Sequence, residues 1–422
     1  MSIVKHLPDA AIPDGGAPAW HVKDAQRWLD ARVPAVFTPI TAGWILAPLV
    51  LLSLVLLAWS TSGTPEHGTA WAGYAPAVLL VSLPAWYSFL PAATLVSTPV
   101  IAADAVRNLY ALDPAEGPGL AGGTLVLALC AWAFAGSALR LRSRRRQREL
   151  FLAAAGDARA AIPENLPDGH RRRGRMLLAT GAALCLAAAA LLVWVLTQDL
   201  AASPRDPFDG TGPQVLAVIL LAPGVPLLGR GLTARRAARK LHDGPQPVLR
   251  VGVRQVFFGP GWLVADADTT TAPPLIAFRH RFDDGYRSRS AETLLAGAES
   301  RLRADHHDID RHAEPYEALL YGVACEGSEV ILRYAVYRGD SVITDAVHAV
   351  PLLPLRRGRP RSSWRPAGTS YTLKRRAEEE KRKQRAAERS SSSGSSSSGG
   401  CGSGGCSSSC SSSCGGGCGG GD

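Results

Sequence analysis

Charged residues are scarce in this sequence. Asp, Glu, Lys and Arg make up 19% of its 422 residues, while hydrophobic residues make up 46%. A typical soluble domain carries about 25% charged residues. The composition therefore argues against an ordinary soluble protein and predicts a chain that lies partly in lipid.

Familiar catalytic and nucleotide-binding motifs are missing as well. The sequence has no G-x-S-x-G nucleophile elbow, no Walker loop and no G-x-G-x-x-G fingerprint. We therefore expect a protein that is not an enzyme. The net charge of +10 comes with arginine clusters next to apolar stretches, where they set membrane topology, so no nucleic-acid partner is expected.

Hydrophobic stretches predict an α-helical integral membrane domain over 40–229. After a juxtamembrane segment at 1–39, about five apolar segments follow, at 40–59, 74–97, 119–139, 176–197 and 213–229. A helix needs about 20 apolar residues to cross a bilayer. Prolines interrupt the second segment, which is either a kinked span or a re-entrant hairpin. The fifth is broken late by Pro223, Gly224 and Pro226.

The distribution of arginine predicts the orientation. The loop 140–175 and the region from Arg230 onward are rich in arginine and are expected on the cytoplasmic side of the plasma membrane. The side of the N-terminus stays open. Five full crossings would place it outside, whereas four would satisfy the charges of every loop.

The apolar segments contain little that transport chemistry could use. The first, third, fourth and fifth segments hold no Asp, Glu, Lys, Arg or His, the residues with which most ion pathways and proton relays are built. Small residues recur in the fourth segment at Gly181, Cys185 and Ala189. That spacing favours close helix packing within the chain.

Alternating β-branched residues predict a cytosolic α+β domain over 241–366. The pattern indicates five or six strands, with Gly339 and Asp340 between two runs that suit a hairpin. A helix is expected over 291–305. Behind it lie His306, His307 and His312 among aspartates. Histidine and aspartate can bind metal, but the spacing fits no zinc motif, and a solvated helix end is favoured.

The C-terminal region predicts a charged helical linker at 374–389 and a low-complexity, disordered tail at 390–422. Five cysteines recur in the tail at intervals of four or five residues: Cys401, Cys406, Cys410, Cys414 and Cys418. Flexible thiolates can bind Zn or Cu(I). Without a C-x-x-C pair the metal hypothesis stays open beside modification, disulfide formation or a tail without specific activity.

These observations favour an integral membrane scaffold or sensor of unknown biochemical role, whose partners are the lipid bilayer and unidentified proteins. The alternative is a membrane transport component, or a metal- or thiol-handling protein that uses the tail cysteines.

Overall fold

The computed structural model describes residues 2–60, 74–111, 117–164, 166, 170–202, 208–256, 259–279, 292–297, 307–338, 342–354 and 363–392. Residues Met1–Thr372 form one compact unit, and Leu373–Asp422 form a second. The helices are α1 (Val22–Asp30), α2 (Pro39–Ser60), α3 (Tyr74–Phe89), α4 (Pro91–Ala111), α5 (Gly117–Ala155), α6 (Arg175–Ala201), α7 (Thr211–His242) and α8 (Tyr371–Ser392).

Within the described ranges, four helices are long and apolar enough to cross a membrane: α2, α5, α6 and α7. The prediction of about five segments is corrected at the second, which is split at Leu90 between α3 and α4. Pro91 lacks an amide hydrogen, so it suits the first position of a new helix and interrupts the preceding one. Helix α4 also extends past the predicted segment and carries Asp104 and Arg107, whose side chains pair at 2.9 Å.

The predicted late break in the fifth segment is absent, because α7 continues through Pro223 and Pro226 to His242. Proline at position 226 leaves the carbonyl of Ala222 without its usual helical donor. The hydroxyl of Ser82 on α3 donates to that carbonyl at 3.4 Å. Neighbouring side chains of this kind are what allow proline inside packed apolar helices.

The arginine-rich part of the predicted loop 140–175 is also helical. Helix α5 runs on to Ala155 without interruption, because arginine is a good helix former. Its far end buries Phe151, whose ring lies 5.4 Å from that of Trp20. Trp20 in turn packs against Trp28 of α1, at 5.8 Å between ring centroids. One helix therefore extends from the bundle into the core of the sheet region.

The strands are β1 (Ser2–Val4), β2 (Arg159–Ala160), β3 (Gln246–Arg254), β4 (Gly261–Val264), β5 (Ile276–Phe278), β6 (Thr293–Ala296), β7 (Asp308–Ile309), β8 (Tyr316–Tyr321), β9 (Glu329–Arg338) and β10 (Val342–Pro351). Among the described residues they form a ten-stranded sheet with a main order β5-β4-β3-β8-β9-β1-β7. The strand β10 pairs with β9 and β6, and β2 pairs with β3. The antiparallel pairing of β9 with β10 confirms the predicted hairpin.

The predicted helix 291–305 is wrong where the structure describes it. Residues Thr293–Ala296 are the strand β6, and Leu295 pairs with Ile343 of β10. The rest of that range lies outside the described residues, apart from residues 292 and 297. Leu294 and Leu295 are compatible with either a helix or a strand. Pairing with the neighbouring strand β10 favours the strand.

The N-terminal segment lies within the sheet. Ile3 of β1 pairs with Ile309 on one side and with Val336 on the other. Because β1 precedes every helix of the bundle and β9 follows the bundle, the chain enters and leaves the bundle at the same end. Among the described residues, the count of candidate membrane-spanning helices is four and not five.

Both faces of the sheet are covered. Leu249 and Val251 of β3 face a cluster with Trp20, Trp28 and Phe151. The adjacent Val248 lies in a second cluster that includes Val4 and Leu241, the latter from the end of α7. Alternation along β3 thus places the ends of α5 and α7 on opposite faces.

Candidate functional site

The structure describes two of the three histidines singled out in the sequence, His307 and His312. The carbonyl of His307 accepts a hydrogen bond from the amide of Lys5 at 3.0 Å, and burial lowers the pKa of the His307 side chain. His312 lies beside Arg311, whose Nε donates to its Nε2 at 3.2 Å, and burial lowers the pKa of His312 too. No group of three or more potential metal ligands occurs in the part of the chain that the structure describes.

The remaining predicted ligands cannot be compared with the structure. His306 and the five tail cysteines lie outside the described residues. Their metal chemistry, with Zn or Cu(I), stays a prediction.

A buried ion pair joins the helix bundle to the sheet. Arg140 on α5 donates from Nη2 to Oε1 of Glu326 at 2.6 Å, and these side chains are 0% and 2% exposed. Glu326 lies in the turn between β8 and β9, and Arg144, one helical turn beyond Arg140, approaches it at 3.4 Å. Arg140 also donates to the backbone carbonyls of Tyr87 and Ser88 at the end of α3. Arg140 thus contacts α3 and the sheet at once.

The charges around Glu326 keep it ionised. Burial by itself would raise the pKa of this carboxyl, but the charges of Arg140 and Arg144 and their hydrogen bonds outweigh that effect, so the pKa lies below its ordinary value of 4.5. Breaking such a buried pair leaves one charge without compensation. The pair therefore fixes the position of the β8–β9 turn against the bundle.

A second polar contact lies at the start of β9. Glu329 accepts hydrogen bonds from Nε2 of His170 at 2.7 Å and from Arg173 at 2.5 Å. The other ring nitrogen of His170 lies 3.1 Å from Nε2 of His242, at the end of α7. The segment before α6 therefore contacts the Glu329 carboxylate of the sheet directly, and His170 also contacts the end of α7.

A polar cleft of about 310 Å³ opens beside β3, α1 and the N-terminal segment. His6 lies in it between two carboxylates, with Nε2 3.3 Å from Asp268 and Nδ1 3.6 Å from Glu317. The contact with the Glu317 carboxylate is the main reason why the pKa of His6 is raised above 6.5. The described residues that line this cleft include no Ser, Thr, Cys or Lys, and its carboxylates belong to Asp266, Asp268 and Glu317.

A larger and mostly apolar cavity, of about 710 Å³, lies where the bundle meets the sheet. The start of α2 and the end of α3 form most of its wall, and Leu353 and Pro354 close it from the side of the sheet. Arg230 of α7 and Arg279, which follows β5, are the charged side chains among its described lining residues. An apolar pocket with a few convergent polar groups is the usual form of a site for a small molecule.

Sequence reasoning missed Arg140 as a functional side chain. It stands among the arginines from which the orientation is predicted, and nothing in the sequence around it sets it apart from most of them. Its one distinguishing feature is its place as the first charge after an uncharged run. Only the packing of α3 and the β8–β9 turn around it makes it a buried contact.

Comparison of the chain with models of protein families, with curated proteins and with solved structures found no match in any of the three.

Proposed function

We propose that this chain is a non-enzymatic integral membrane scaffold or sensor, which holds its sheet and its Ser/Gly/Cys-rich tail at the cytoplasmic face of the plasma membrane. The observation that carries the proposal is the continuity of α5, which is one helix from an uncharged apolar run to Phe151 in the core of the sheet. A rigid connection of this kind suits a protein that displays a domain or transmits a change in the bundle to it.

Exposed apolar side chains support the membrane part of the proposal. On α2, Trp44 is 80% exposed and Trp59 is 71% exposed. At a rise of about 1.5 Å per residue the two lie about 22 Å apart. Tryptophan is enriched at the two interfaces of a bilayer, and this spacing suits that position.

The arginines support the cytoplasmic side. Arg142, Arg145 and Arg146 on α5 and Arg235 and Arg236 on α7 lie towards the end of the bundle at which the sheet is attached. Short basic segments beside apolar helices stay in the cytoplasm. The sheet, the N-terminal strand and the tail would then share that side.

Two measurements test the proposal. In inverted membrane vesicles, added protease should remove an epitope fused to the C-terminus, whereas in right-side-out vesicles the epitope should survive. Digestion in right-side-out vesicles alone would contradict the cytoplasmic placement. The purified full chain in lipid nanodiscs should turn over no substrate in a broad activity panel. A turnover that Glu317→Gln abolishes, with folding retained, would make the polar cleft an active site and would overturn the proposal.

A further inference from the structure

The apolar cavity at the junction of bundle and sheet is open at the outer surface of the bundle. Trp44, which lines it, is 80% exposed. The rest of its wall on α2 comes from residues such as Ile40, Gly43, Ala47 and Pro48. A molecule that lies beside the bundle can therefore reach an apolar cleft between α2 and α3 from the side.

The charged side chains among the described residues that line this cavity are both positive. Arg230 is held over the ring of Phe89, with its guanidinium carbon 4.3 Å from the ring centroid. Within the described residues, no carboxylate is paired with Arg230 or Arg279 at 4.0 Å or less. The described lining residues include no Asp or Glu either. Two guanidinium groups beside an apolar cleft match an amphipathic anion, because arginine binds phosphate well and is weakly hydrated.

The position of the cavity selects the kind of amphipathic anion. Arg230 directly follows Gly229, which lies beside Leu90 at the end of α3. Arg230 therefore lies where the apolar part of the bundle gives way to the sheet, at the level of lipid headgroups in the proposed orientation. Basic pockets between membrane helices on the cytoplasmic side are known to bind anionic headgroups.

We propose that this cavity binds an anionic phospholipid, with its phosphate between Arg230 and Arg279 and an acyl chain along the apolar wall from Gly43 to Pro48. The volume of about 710 Å³ falls within the roughly 300–1,000 Å³ of small-molecule sites. The inference rests on the proposed membrane function. The site would place the lipid between α2, α3 and the sheet.

Native mass spectrometry of the full chain in detergent, titrated with phosphatidylglycerol or with phosphatidylcholine, tests the site. Phosphatidylglycerol should bind at least about tenfold more tightly, and the double variant Arg230→Gln/Arg279→Gln should remove that preference, since each charge-assisted contact is worth roughly tenfold or more. The matched control is Arg235→Gln/Arg236→Gln, which removes the same charge from exposed positions of α7 and should keep the preference. Ala47→Trp, which fills the apolar wall, should weaken binding while both arginines remain.

Three results would overturn the lipid site. They are equal binding of the two lipids, an unchanged preference in the double variant, and displacement of the lipid by millimolar inorganic phosphate. Carbonate extraction of membranes distinguishes failure of the lipid site from failure of the proposed function. A chain that carbonate washes out contradicts membrane insertion itself, whereas an inserted chain without lipid preference contradicts the site alone.

Discussion

The side chains of Arg140 and Glu326 meet at 2.6 Å with essentially no exposure to solvent. They belong to the longest helix of the bundle and to a turn of the sheet, 186 residues further along the chain. Two unlike parts of the molecule thus share one buried charge pair.

Removing one member of this pair should destabilise the protein strongly. Arg140→Met or Glu326→Gln should each cost about 3–5 kcal/mol, since a buried charge loses its compensation. The double variant Arg140→Met/Glu326→Gln should lose less than the sum of the two single changes. Thermal unfolding of the full chain in nanodiscs measures both effects.

The exposed pair Arg375 and Glu379, 3.2 Å apart on α8, provides the matched control. Arg375→Met and Glu379→Gln should change stability by less than about 1 kcal/mol, as is usual for surface pairs. Equal effects of the buried and exposed changes would contradict a role for Arg140 in joining bundle and sheet.

The contact between His6 and Glu317 should make stability depend on pH. Because the pKa of His6 is raised in the folded chain, the folded chain binds the proton of His6 more tightly than the unfolded chain does. The stabilisation of the fold by protonated His6 is complete below pH 6.5 and is lost as the pH rises through the pKa of the folded chain. Burial by itself raises the pKa of Glu317, but the contact with His6, the hydrogen bond from the Leu7 amide and the charges of Arg250 and His6 bring it below 4.5. The contribution of ionised Glu317 to stability is present above pH 4.5 and is lost as the pH falls through its pKa in the folded chain.

Melting curves from pH 4 to 9 should therefore show the largest difference between wild type and His6→Gln between about pH 4.5 and 6.5. Glu317→Gln should remove the same pH-dependent difference. A difference that is constant over the whole range would show that His6 contributes through packing alone.

Trp28 should be among the residues on which folding of the sheet region depends most. It is fully buried, and its indole donates to the carbonyl of Ala324 at 3.0 Å. Trp28→Ala should cost about 3–5 kcal/mol, while Trp28→Phe should cost about 1–3 kcal/mol, because a ring remains but the carbonyl loses its donor. Trp59→Ala removes an equally large but exposed side chain and should leave the melting midpoint of the sheet nearly unchanged. A melting midpoint lowered as much by Trp59→Ala as by Trp28→Ala would contradict this role of Trp28 in the folding of the sheet region.

The close contact of α6 and α7 depends on Gly181. A Cβ at this position would lie 2.8 Å from Cα of Leu228 and 2.9 Å from the carbonyl oxygen of Gly224. Gly181→Leu should therefore separate the two helices at a cost of about 1–3 kcal/mol or more. Gly212→Leu is the control, because nothing lies within 4 Å of a Cβ there. The melting midpoint of the full chain in nanodiscs should fall in the first variant only, and an equal fall in both variants would contradict the packing.

The two ends of the chain should be accessible from the same side of the membrane. Because β1 lies between β7 and β9, an epitope placed before residue 1 and one placed after residue 422 should be digested together in inverted vesicles. Protection of one epitope and loss of the other would require an odd number of crossings and would exclude the pairing of β1 with β9.

How far the sequence predicts this fold depends on whether a signal is local. The uncharged runs predict the apolar helices because each helix satisfies its own backbone hydrogen bonds. The alternation around Gly339 and Asp340 predicts the hairpin, since its strands are neighbours in sequence. The strand at Thr293–Ala296 was not predictable in the same way, because its partner lies about 50 residues away.

By itself the sequence determined the scarcity of charge, the apolar helices, the arginine clusters beside them and a strand-rich region after residue 241, since all of these follow from composition and short-range periodicity. Tertiary structure alone decided that residues 2–4 complete the sheet, that Arg140 is buried against Glu326 and that Arg230 and Arg279 share a cavity. Each of these depends on contacts between distant segments, and the free energy of such contacts comes from desolvation and pairing that no local pattern encodes.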